Sequence, residues 1–174
     1  MISDNIAAAL NKQLALEAYA SYYYLAMSSW CDREGLDGAA AFMRQQSDEE
    51  REHMMRLFDY ISEVDAHAIV PTVQQPPSRY SDIRDVMQKV YEHEQKVTEA
   101  IHDVLEQAIK ENDYQTQNFL QWYVAEQREE EAQMRSILDR IKLIGEGPQS
   151  LYYIDKELSK FYKASRAEEA AEVE

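Results

Sequence analysis

Apolar residues recur every three to four positions over four long stretches of the chain, the period of a helix with one buried face. The first stripe reads Leu10, Leu14, Glu17, Ser21, Leu25. The second reads Phe42, Gln46, Glu50, His53, Leu57, Ile61. The third reads Ile83, Val90, Glu94, Val97, Ile101, Leu105. The fourth reads Phe119, Tyr123, Gln127, Glu130, Met134, Ile137, Ile141. Every glycine and proline falls in one of three short windows, Gly35–Gly38, Pro71–Pro77 and Gly145–Pro148. The segments between them are rich in strong helix formers.

This pattern predicts α1 over about 4–33, with Ser3 as its N-cap, and α2 starting after Asp37 and running to about 66. It predicts α3 after Ser81, a break at Asn112-Asp113, and α4 ending at 144. A short α5 is expected from Ser150 to Tyr162, with Leu151, Ile154, Leu158 and Phe161 on its apolar face. That face suits either the bundle or a subunit interface. Residues 1–162 then make one bundle domain, and the acidic, Ala/Glu-rich segment 163–174 is expected to be a frayed tail.

The turns between α1 and α2 and between α3 and α4 are short, so each pair should form an antiparallel hairpin. The linker from Ala68 to Tyr80 is different. It carries three prolines and suits an extended strap. Fully stretched at about 3.3 Å per residue, it matches a helix of roughly 40 Å. The expected fold is therefore all-α: a four-helix bundle with one long crossover between α2 and α3, plus the short C-terminal fifth helix.

Each apolar stripe is broken by acid, and the second by acid plus histidine. Glu17 and Glu94, Glu50 and Gln127, and His53 and Glu130 are all separated by 77 residues. Glu49 and Glu126 share that offset, as do Phe42 and Phe119. The chain reads as two copies of one hairpin whose polar interruptions meet at one level. Glu17, Glu50, Glu94 and Glu130 would place four negative charges in one core, with no Lys or Arg on those faces at that height. Unpaired buried carboxylates are costly and repel each other. Two divalent cations would neutralise them. Oxygen-rich ligation with one imidazole suits iron or manganese, and zinc would also bind. Glu50-x-x-His53 sets both side chains on one helical face.

Composition narrows the partners. The 174 residues carry 33 acids against 18 bases, a formal charge of -15. That argues against nucleic acid or an anionic membrane surface and allows cations. The single cysteine, Cys31, excludes an internal disulfide and a Cys-rich zinc site and points to a reducing compartment. No basic-then-apolar leader opens the chain, and no apolar run approaches the roughly 18 residues of a membrane helix. The expectation is a soluble, cytoplasmic protein.

The sequence resembles the ferritins, and among them the bacterial non-haem ferritins, over nearly its whole length. The resemblance rests on Leu16-Glu17-Ala18-Tyr19, Glu49-Glu50-Arg51-Glu52-His53, His93-Glu94-Gln95, Phe119-Leu120-Gln121-Trp122-Tyr123, the pairs Glu126-Gln127 and Glu129-Glu130, and Leu151-Tyr152-Tyr153-Ile154-Asp155-Lys156-Glu157-Leu158. It implies a ferroxidase that forms a shell of twenty-four subunits and stores iron oxide inside. Fe(II) would be oxidised by O2 or H2O2. Glu17, Glu50 and His53 would hold the first iron; Glu50 would bridge to a second, held also by Glu94 and Glu130. Gln127 falls where the family has a glutamine near the pair, and Tyr24 where it has a tyrosine. Glu49, Glu126, Glu129 and Glu130 match a third iron site on the inner side, although the acidic run alone reads as a solvated helix face. Tyr24 by itself could equally be a core aromatic.

A bacterioferritin would carry a second Glu-x-x-His on α4 and a methionine after the α2 glutamate. Here Gln127-x-x-Glu130 and Arg51 stand there, so haem is not expected. A rubrerythrin would need cysteine pairs. The missing second histidine suggests that iron passes through as substrate. A di-iron or di-manganese oxidase or peroxide scavenger that stores no mineral is the competing reading. Met54 and Met55 read as packing, His67, His93 and His102 as surface or loop residues, and Cys31 as a bystander.

Overall fold

The computed structural model describes residues 2–172, with side chains described through residue 164. Its helices are α1 (Asp4–Arg33), α2 (Asp37–Glu63), α3 (Ile83–Lys110), α4 (Tyr114–Ile144) and α5 (Ser150–Glu172), with no strand among the described residues. Capping explains most of the starts. The Ser3 hydroxyl accepts from Ile6 N at 3.2 Å, Asp82 from Asp85 N at 2.9 Å, and Asp113 from Thr116 N at 3.1 Å. Gly35 and Asn112 turn the two hairpins with φ of 75° and 56°, the left-handed region that glycine and asparagine tolerate.

Contacts at the bundle ends give the topology. Tyr60, late in α2, stacks on Phe119, early in α4. Trp30, at the end of α1, meets Tyr80, just before α3. Both pairs are therefore antiparallel. Since α1 also runs against α2, α2 and α3 run parallel. The linker is tied at both ends. Asn11, near the start of α1, donates to His67 O at 3.0 Å and accepts from Ile69 N at 2.7 Å, while Tyr80 sits beside Trp30 at the far end. The strap thus spans the length of the bundle, as expected of a crossover.

Three of the four stripes lie inward as expected, apart from the half-buried Leu105 and Phe119 at their ends. The α1 stripe drifts. Ser21 is half-buried and Leu25 is 45% exposed, while Tyr24 and Met27 are fully buried. Two successive steps of four residues rotate a position by about 80° off the starting face, so the buried line after Glu17 runs through Ala20, Tyr24 and Met27 instead. Ser21 has another use. Its hydroxyl donates to Ser47 O at 2.8 Å and Ser47 returns the bond to Ser21 O at 2.7 Å, clasping α1 to α2.

Two further expectations need correcting. α2 ends at Glu63 rather than near 66. α5 continues to Glu172, so the segment 163–172, expected to be frayed, has helical backbone, as its Ala/Glu content favours. Residues 173–174, and the side chains from 165 on, lie outside the described residues.

α5 folds back on the bundle. Ile154 and Leu158 are buried in the core cluster, whereas Leu151, Tyr152 and Tyr153 are about half exposed. Its docking solves a local problem in α2, whose N-cap, Leu36, has no capping side chain. Asp155 supplies the acceptor from a distance: Ala39 N donates to its Oδ1 at 2.9 Å, and the carboxylate faces the positive end of the α2 dipole. The approach requires Gly38, because a Cβ there would lie 2.3 Å from Asp155 O. Gly38→Ala should therefore dislodge α5 and cost about 1–3 kcal/mol, the range for overpacked sites. Thermal melts and faster proteolysis within α5 would register it; an unchanged α5 would contradict this docking.

Candidate metal centre

The buried apolar residues fall into two clusters. One gathers around Tyr24, Met27, Phe42 and Ile137, the other around Leu10, Leu14, Leu57 and Leu120. Between them lies a polar layer of Glu17, Glu50, His53, Glu94, Gln127 and Glu130, none more than 8% exposed. All four bundle helices contribute. Side chains buried this deeply have lost most of their hydration, so each charge needs a partner inside.

Glu17, Glu50 and His53 converge. One ligand atom from each lies within 4.8 Å of the others, the only such acid–histidine group among the described residues. His53 Nδ1 is 3.5 Å from Glu50 Oε2, and neither atom has a hydrogen-bond partner. Glu17 Oε2 and Glu130 Oε2 are also buried without partners. Such atoms are rare in native interiors and call for an ion or water. The ring edges of Trp122 and Tyr123 hold the imidazole at centroid distances of 5.2 and 5.8 Å. Tyr123 also donates to His53 O at 2.5 Å.

Glu94 stands across the layer. It accepts from the Tyr24 hydroxyl and, at 3.1 Å, from Gln127 Nε2. Gln127 Nε2 also reaches Thr98 Oγ1 at 3.4 Å, and Thr98 donates to Glu131 at 2.7 Å. Gln13 donates to Glu17 Oε1 at 2.6 Å.

Electrostatics agrees with the geometry. Burial pushes Glu17 well above the usual carboxylate range, and neighbouring Glu50 adds to it. Glu50 is raised by burial and by Glu94. Glu130 is raised by burial, then by Glu94, Glu49 and Glu126. Glu94 rises to about 7 through burial, held back by the Tyr24 and Gln127 hydrogen bonds. The Tyr24 phenol is raised by burial and by Glu94. Proteins place several carboxylates this close in a dry core where protons or cations neutralise them.

The acids expected at an inner third site are less gathered. Glu49 and Glu126 are half-buried and near enough to bear on Glu130, and Glu49 accepts from Gln45 and Gln46. Glu129 is exposed and 3.4 Å from the Arg128 guanidinium. Of the side chains read as bystanders, His67 and His102 are exposed, Met55 is 37% exposed, and Met54 packs on the core. Cys31 is fully buried, and burial pushes its thiol up to about 12.

His93 is the correction. It is 8% exposed, boxed by Tyr19, Tyr23 and Tyr24 at 5.9, 5.6 and 5.8 Å, and burial lowers it to about 4. The Tyr22-Tyr23-Tyr24 run on α1 was the available signal, since an aromatic wall needs something packed against it. Sequence reasoning also missed Gln13, which lies four residues before Glu17 and hence on the same face.

Comparison with known proteins places this arrangement. The family model for the ferritin-like domain matches residues 7–144. The bacterial non-heme ferritin of Campylobacter jejuni is 46% identical over 156 residues, 90% of this chain and 93% of its own. That of Escherichia coli O6:H1 is 43% identical over 159 residues, 91% of this chain and 96% of its own. The crystal structure of an open-pore ferritin from Archaeoglobus fulgidus superposes with a TM-score of 0.88 at 45% identity, covering 91% of this chain and 96% of that one. With its four-helix bundle, parallel crossover and carboxylate layer, the chain belongs to the ferritin family.

Proposed function

We propose that this chain stores iron and that its polar layer is the ferroxidase centre. The observation that supports this most is the cluster of buried carboxylates in which Glu17, Glu50 and Glu130 each keep one oxygen without a hydrogen-bond partner. In this reading Glu17, Glu50 and His53 bind one Fe(II), and Glu50 bridges to a second, bound also by Glu94 and Glu130. Both ions are substrate. Gln127 and Tyr24 set the orientation of Glu94 by their hydrogen bonds. Tyr24 sits close enough to take part in the redox step as well.

Carboxylates favour Fe(III), the harder and more highly charged ion, and so promote electron loss. Each of two Fe(II) ions gives up one electron. O2 accepts both and leaves as H2O2 after taking two protons; where H2O2 is the oxidant, it leaves as water. Holding the two ions in one layer lets the electrons be delivered together. The Fe(III) products hydrolyse, release protons, and leave toward Glu49, Glu126, Glu129 and Glu130, which form the inner third site in this reading. Ferric oxide then grows within a shell of twenty-four subunits in the cytoplasm.

An oxygen-electrode trace with added Fe(II), combined with a native mass, tests this reading. The expected result is rapid O2 uptake by an assembly of several hundred kDa that holds mineral. O2 uptake by a dimer that retains its metal would instead favour a ferritin-like di-iron or di-manganese oxidase.

A further inference from the structure

Between α1 and α3 lies a groove of 390 Å³, open to solvent and lined by Asn5, Ala8, Lys12, Gln13, Asp103 and Gln107 among others. It follows α1 from Asn5 to Gln13, about 12 Å at 1.5 Å per residue, toward the polar layer. The walls change along the way. Asn5, Ala8 and Asp103 are exposed, whereas Gln13 is 1% exposed. The amide of Gln13 is only half used. Its Nε2 donates to Glu17 Oε1, but its Oε1 is buried with no partner, and so is the facing acid's Oε2. A buried carbonyl oxygen left this way costs about 1–3 kcal/mol, a penalty that a passing cation would relieve. Carbonyl and carboxylate oxygens in sequence are the donors a hard divalent ion takes up as it sheds water.

We propose that this groove is a route by which Fe(II) reaches the centre, with Gln13 Oε1 the buried oxygen that receives the ion from the groove and hands it to Glu17. The proposal rests on the ferroxidase reading. At the groove, Asp103 attracts the ion and Lys12 opposes it, so the two set the rate of arrival in opposite directions.

Co(II) serves as the probe, because it is not oxidised by O2 here and its visible bands report carboxylate and imidazole ligation. Stopped-flow mixing with the assembled apoprotein gives rate and final occupancy separately. Ala8→Trp places a ring in the groove about two and a half turns from Glu17, and should slow loading several-fold with final occupancy unchanged. Gln13→Leu should slow it as much, Asp103→Asn should slow it less, and Lys12→Gln should speed it. Loading of Ala8→Trp at the wild-type rate would overturn the proposal, and Gln13 would then only orient Glu17, seen as weaker affinity in Gln13→Leu. If the wild-type protein takes up no stoichiometric Co(II), the ferroxidase reading itself fails, and the groove has no cargo to conduct.

Discussion

Glu50→Ala is expected to abolish fast O2 consumption while the shell still assembles. Glu50 is the residue placed between the two halves of the layer: it lies against His53, and its carboxyl feels Glu94 and Glu130. Its loss removes the proposed bridge, so the two Fe(II) ions can no longer deliver electrons as a pair. Even partners outside the ligand set cost ten- to a hundredfold at metal sites, so the initial oxidation rate should fall by more than about a hundredfold. Assembly should survive, because removing one of several mutually repelling acids relieves the core. Unchanged initial oxidation in this variant would refute the bridging role.

The second large effect is on stability. Glu94 titrates at about 7 in the folded chain against an ordinary 4.5, chiefly because it is buried. Below pH 4.5 the folded and unfolded chains both hold this proton, and it contributes no difference. Between 4.5 and 7 the unfolded chain releases it and the folded chain keeps it, so stability falls as the pH rises. For Glu94 and the acids it titrates with, the loss is on the order of a few kcal/mol. Glu17, Glu50 and Glu130 are shifted in the same direction. The metal-free protein should therefore melt at lower temperature at pH 7.5 than at pH 5. A bound divalent cation should reverse the sign, because it binds the ionised carboxylates and competes with protons. Melting curves at several pH values, with and without Zn(II), would show this. A metal-free Tm that rises steadily over that pH range would contradict the burial of these acids.

The same acids explain why so much was legible in the sequence. In a long helix a polar residue on the buried line stands out against its neighbours, and the 77-residue offset tied four such interruptions to one level. The crossover was readable because prolines forbid helix where the strap runs. What sequence left hidden depended on angles and on contacts between helices. Leu25 fell off the buried face through accumulated rotation, and Tyr24 took its place. The burial of His93 depends on tyrosines from another helix. The docking of α5 rests on a backbone approach to Gly38 that no periodicity encodes. The acids Glu126 and Glu129 read like any solvated run, and only their position beside Glu130 or in solvent tells them apart.

Diffraction from crystals soaked anaerobically in Fe(II), with data collected on both sides of the iron absorption edge, would locate the ions in the polar layer. Two anomalous peaks are expected within each subunit, one among Glu17, Glu50 and His53 and one among Glu50, Glu94 and Glu130. Iron found only on the outer or inner surface, with no peak between the four helices, would contradict the proposed ferroxidase centre.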